Sequence, residues 1–75
     1  MKELIEVIAK ALVDDPSQVV VTETEEDDAI VIELNVAPDD MGKVIGKQGR
    51  IAKAIRSVLK AATIDAPKKV MLEIR

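Results

Sequence analysis

The chain has only three glycines, and all of them fall in one short stretch, GKVIGKQGRIAKAI, at Gly42, Gly46 and Gly49. Lys43, Lys47, Arg50 and Lys53 stand among and just after them. Glycine lets a backbone bend sharply and approach a ligand with no β-carbon in the way. Cations beside such a bend suit a phosphate. A Walker A loop needs four spacers between its glycines, then Gly-Lys-Ser/Thr. Here three residues separate Gly42 from Gly46, and Gln48 follows Lys47, so magnesium has no hydroxyl. The dinucleotide fingerprint fails on its spacing as well. What remains is Gly46-Lys47-Gln48-Gly49 as a two-residue loop between two helices. The free N–H groups and positive dipole end of the second helix point at that loop. Lys47, Arg50 and Lys53 add full charges. The arrangement suits a sugar-phosphate backbone running past, with no chemistry done on it.

Other chemistry is poorly provided for. Histidine and cysteine are absent, which removes the usual general base, the commonest zinc ligand and the thiol nucleophile. Asp39 and Asp40 are adjacent at an expected helix start. They therefore point apart and suit capping better than paired acid–base work. No enzyme is read from these residues, and no cofactor or metal is called for. The start, MKELIEVIAKALVDD, is charged throughout and does not resemble a signal peptide. No apolar run approaches the roughly 20 residues that span a bilayer. A basic helix without aromatic anchors is a poor membrane-surface element. The expectation is a soluble cytoplasmic protein.

Charge is strongly polarised. Residues 42–64 contain six basic side chains, the four above with Arg56 and Lys60, and no acidic ones. The whole chain nevertheless carries −3, and TETEEDD supplies much of the opposite pole. For a polyanion the local field matters more than the total. Phe, Trp and Tyr are missing along with His and Cys, so no base can stack on an aromatic ring. That composition reads as a simplified or designed sequence.

The elements that position the loop follow from periodicity. Residues 2–13 read as a helix, with Leu4, Ile5, Ile8 and Leu12 at helical spacing. Pro16 ends it. Residues 18–25 and 29–37 read as strands joined by the polar turn 26–28. In the second of them Ile30, Ile32, Leu34 and Val36 alternate onto one face. Pro38 and the acids after it start a short helix over 38–45, with Met41, Val44 and Ile45 inward and Gly46 as a left-handed cap. A further helix begins at Gly49 or Arg50, its apolar stripe being Ile51, Ile55, Val58, Leu59 and Ala62. Residues 68–75 alternate again, with Val70, Leu72 and Ile74 on one face. The order αββααβ predicts one domain over residues 1–75. Its fold is α+β, a three-stranded mixed sheet with three helices on one face. The last strand arrives after a helical crossover and should run parallel to strand 29–37, which lies in the middle.

VIGKQGRIAKAI resembles the signature of KH domains, in which a GxxG loop holds the backbone of about four nucleotides. The element order is similar to the type II KH arrangement. LVDDP and VAPDDMGKVIGKQGRIAKAIR resemble the small stand-alone bacterial KH proteins of the KhpA (YlqC-like) group, over nearly the whole chain. The resemblance implies a noncatalytic single-stranded RNA-binding module, with single-stranded DNA as an alternative ligand, acting as an RNA chaperone or post-transcriptional regulator. By position, Gly46 and Gly49 are the ends of the clamp, and Lys47 and Gln48 face the phosphates. Val44, Ile45, Ile51 and Ala54 or Ile55 form or support an apolar floor under the bases. Lys43, Arg50 and Lys53 flank the strand. The group also implies a homodimer, or pairing with a larger KH-containing protein of the KhpB (Jag) type. Val7 stands where relatives tend to carry an aromatic residue. A competing reading is a protein-interaction subunit with weak or lost RNA binding. It draws on the small size and on Val20, Val31 and Met71, which the strand alternation puts on the open sheet face.

Overall fold

Helix α1 spans Lys2–Leu12 in the computed structural model, which describes residues 2–75. Its i, i+4 pair Ile5 and Ala9 is fully buried. The helix stops because Pro16 bars its continuation; the last α-type bond runs from the Val13 N–H to the Ala9 carbonyl, 3.2 Å. Pro16–Gln18 then form a 3-10 turn, so strand β1 begins at Val20 rather than Gln18 and runs to Glu25.

Strand β2, Ala29–Asn35, pairs antiparallel with β1 from Val20 opposite Asn35 to Glu25 opposite Ile30. Strand β3, Lys69–Ile74, pairs parallel with β2 on its other side, Ile32 opposite Leu72. The order β1-β2-β3 puts β2 in the middle, as expected. Parallel neighbours need a long crossover. Here it consists of a 3-10 turn at Pro38–Asp40, helix α2 (Met41–Ile45), a second 3-10 turn at Lys47–Gly49 and helix α3 (Arg50–Ala62). The αββααβ order and the mixed sheet of the α+β expectation are therefore present.

Side chains from all three helices meet the inner face of the sheet in one cluster built around Ile5, Ile32, Leu34, Val44, Ile55 and Leu59. Every buried apolar side chain is aliphatic. The stripe expected on α3 is partly corrected. Ala52, Ile55 and Leu59 point inward, whereas Val58 is 46% exposed and Ala62 is exposed. The helix rolls so that small Ala52 faces the core, which leaves Val58 on the flank toward α1. Val7 on α1 is exposed, and so are Val20 and Met71 on the outer face of the sheet. Among the described residues no helix is long and apolar enough to cross a membrane.

Candidate functional site

Helix α2 is only five residues long, too short to be stable by itself. Its start is held from outside. Asp40, 3% exposed, accepts the Asp14 N–H on Oδ1 at 3.2 Å and the Asp15 N–H on Oδ2 at 3.1 Å. A cap was the expectation for this residue, and it is one, but for the turn after α1 rather than for its own helix, where it makes no capping bond. Sequence alone gave no signal for a bond between positions so far apart. Met41, Val44 and Ile45 pack on the core as expected, Val44 with no exposed surface.

The chain leaves α2 through Gly46, whose φ of 76° and ψ of 173° lie in a region open essentially to glycine alone. This is not the left-handed cap expected; φ is positive but ψ is extended. A β-carbon here would come 2.6 Å from Ile51 Cγ1, so the first turn of α3 sits directly against the glycine. Gln48 (φ 57°, ψ 24°) and Gly49 (φ 73°, ψ 17°) are then both left-handed. For a residue with a side chain that is an uncommon state, and it lifts Lys47 and Gln48 outward as an exposed tip. The Gly49 N–H closes back on the Gly46 carbonyl at 3.2 Å. Arg50 opens α3 immediately after, its own N–H bonded back to the Lys47 carbonyl, so the positive dipole end of a thirteen-residue helix lies beside the tip.

The remaining candidates sort by position. Arg50, Lys53 and Ala54 are exposed on the first turns of α3, while Ile45 and Ile51 are half-buried on either side of the loop. Val44 lies wholly beneath and can support a ligand floor but not touch a ligand. Among the described residues, Lys47, Arg50, Lys53 and Lys60 hold no ion pair. Lys43 does. Its ammonium pairs with the Asp14 carboxylate and lies 3.8 Å from Asp40 Oδ1, and these acids raise its pKa above the ordinary lysine value. It is therefore engaged away from the open cations it was grouped with. Arg56 is also occupied, its Nε and Nη2 each 3.4 Å from the Leu72 carbonyl on β3.

Two hollows flank α3. A shallow apolar one of about 420 Å³ lies between α1 and α3, lined by Ile8, Leu12, Ile51, Ala54 and Val58, with Arg50 on its rim. A larger one of about 840 Å³ lies between the second half of α3, residues 63–68 and β3, and Arg56, Ser57, Lys60, Lys68 and Lys69 edge it. The contribution of β3 to this second hollow is the part that spacing around the glycines could not show. No group of acidic residues that could hold a metal occurs among the described residues.

A mixed three-stranded sheet under three helices, with a Gly-x-x-Gly loop inside the parallel crossover, defines a type II KH domain. Residues 2–74 match the KhpA/KhpB KH domain, and the chain belongs to that family, whose members are noncatalytic binding proteins. It is 64% identical over 74 residues to the RNA-binding protein KhpA of Clostridium perfringens, covering 99% of each chain. It is 61% identical, with the same coverage, to that of Clostridium acetobutylicum. The KhpA of Aquifex aeolicus is 51% identical over 99% of this chain and 94% of its own. No solved structure matches the chain.

Proposed function

We propose that this KH domain binds single-stranded RNA through the Gly46–Gly49 loop and the basic face of α3. It would hold about four nucleotides and act in the cytoplasm as an RNA chaperone or post-transcriptional regulator. One observation carries the reading: the loop projects Lys47 and Gln48 beside the N-terminus of α3, within a segment that has six cations and no acid. A phosphate there meets the helix dipole and unpaired lysine and arginine together. Lys53, Arg56 with Ser57, and Lys60 follow one another a turn apart along α3. They lead from the loop to the hollow beside β3, a path for the next nucleotides. Ile45 and Ile51 offer apolar contact at its start, over Val44. The names of the relatives support the ligand class.

The test is fluorescence anisotropy of a short mixed-sequence RNA with the parent and with the double variant Lys47→Asp/Gln48→Asp, both shown folded by circular dichroism. The parent should bind, and the variant should lose at least about tenfold, since two new carboxylates face the phosphates. Equal binding would reduce α3 to a nonspecific polyanion surface. A matching single-stranded DNA in the same assay separates the two nucleic acids.

A second reading has its own observation. Val58 and Leu12 are exposed around the apolar hollow between α1 and α3. This face suits a second copy, or a KH-containing partner of the KhpB type. Sedimentation equilibrium tests it, and a strict monomer at high concentration would count against self-pairing.

A further inference from the structure

The contacts of Asp40 and Lys43 tie together two segments far apart in sequence. Asp40 places one carboxylate oxygen on the Asp14 N–H and the other on the Asp15 N–H, and it is nearly inaccessible to water. Lys43, one helical turn on, reaches back to Asp14 and to Asp40 itself. Three residues after Lys43 the chain turns at Gly46. Helix α2 is too short to fix its own direction, so its anchoring to the turn after α1 sets the angle at which the loop leaves it.

We propose that Asp40 and Lys43 are positioning residues for the Gly46–Gly49 loop. They fix its attitude toward α3 through the turn at Asp14 and Asp15 and do not themselves contact the nucleic acid. The proposal rests on the RNA-binding reading, but one consequence is visible without RNA. If Lys43 were instead a phosphate contact, only the bound state would feel its loss.

The sign of one substitution separates the two views. Asp40→Asn removes a negative charge near a polyanion site, so the field alone would tighten RNA binding. Loss of positioning weakens it. The amide keeps one acceptor and turns its NH2 toward a backbone N–H, so the tie cannot be remade.

Two readouts are needed: RNA anisotropy across a salt series, and hydrogen exchange of the free protein. The Gly46 N–H, bonded to the Gly42 carbonyl at 2.8 Å, and the Gly49 N–H report the loop, with the Ile32 and Leu34 amides in β2 as the reference. Asp40→Asn should bind about tenfold more weakly. Its loop amides should exchange several times faster relative to the reference. Lys43→Gln, an exposed change that leaves the core intact, should also speed loop exchange. It should keep the salt slope of the parent, and Lys43→Arg should restore slow exchange.

Tighter or unchanged RNA binding by Asp40→Asn overturns the proposal. So does unchanged loop exchange in both variants, or a salt slope reduced by about 0.7 in Lys43→Gln, the mark of one lost phosphate contact. If Asp40→Asn does not fold, the Lys43 pair decides. If the parent binds no RNA, the functional reading fails, and loop exchange alone decides the positioning role.

Discussion

Replacing Gly46 by alanine should cost several times what the same change costs at Gly49, although both glycines have positive φ. At Gly49 a β-carbon meets nothing within 4 Å, and the left-handed conformation is one that L-residues can visit. The cost there is about 1–2 kcal/mol, reduced by the stiffer unfolded chain that alanine gives. At Gly46 the backbone lies in territory closed to side chains, about 1–3 kcal/mol. In addition the new carbon would sit 2.6 Å from Ile51 Cγ1 and 3.0 Å from Ile51 Cβ, well inside ordinary van der Waals contact. Cβ is not the free end of a flexible chain, so α3 itself must shift, and overpacking of this kind adds about 1–3 kcal/mol. The sum, about 2–6 kcal/mol, compares with a total stability of about 4–11 kcal/mol for a domain of this length. Urea unfolding followed by far-ultraviolet circular dichroism measures both variants. The double variant Gly46→Ala/Ile51→Ala removes the clashing Cγ1 and should recover at least about 1 kcal/mol against additivity. Equal costs at Gly46 and Gly49, or full additivity with Ile51→Ala, would refute the reasoning.

Gln48→Val should destabilise by about 1–2 kcal/mol although the side chain is exposed, because a β-branched residue is poorly tolerated in the left-handed region; the same unfolding assay reads it. RNA binding by the parent should weaken with a log–log salt slope of roughly −1.5 to −3, as two to four phosphates require, and a flat response would contradict a phosphate clamp. Lys68 hydrogen-bonds the Glu25 carboxylate at 2.7 Å and, with its charge, lowers the Glu25 pKa below its usual range. That contribution is present above the unfolded carboxylate pKa and is lost as pH falls through the lower folded value. The urea midpoint of the parent should therefore drop more on acidification than that of Lys68→Met. Leu34→Ala, at a fully buried position on the middle strand, should cost about 2–5 kcal/mol and leave a barely folded chain.

Much of this architecture was legible because its signals are local. Alternation in β2 names its buried face, and the spacing in α1 finds buried Ile5 with half-buried Leu4 and Ile8, but it misses buried Ala9 and counts Leu12, which is exposed. The parallel β2–β3 pair followed from the long helical connection. Gly46 and Gly49 marked the loop, since glycine alone takes the extended positive-φ state at Gly46 and takes the left-handed one at Gly49 without strain. The departures are tertiary. Charge and motif position grouped Lys43 with the cations beside the loop; its pairing with Asp14, 29 residues away, has no signal near Lys43. Asp40 looked like a local cap for the same reason. Val58 matched the apolar stripe of α3, yet Ala52, Ile55 and Leu59 are the buried side chains of that helix, and which side of an apolar stripe turns inward is a matter of packing rather than period. The outward left-handed Gln48 had no signature, because glutamine is not a residue that marks such a position.

The wholly aliphatic core also has an optical consequence. With no indole, phenol or phenyl ring anywhere, the folded protein is nearly transparent in the near ultraviolet and has no intrinsic fluorescence. Absorbance of a purified sample in the nucleobase band would therefore come from nucleic acid carried through purification, read without subtracting a protein background. A single tryptophan placed at exposed Val7 would be the only emitter in the molecule.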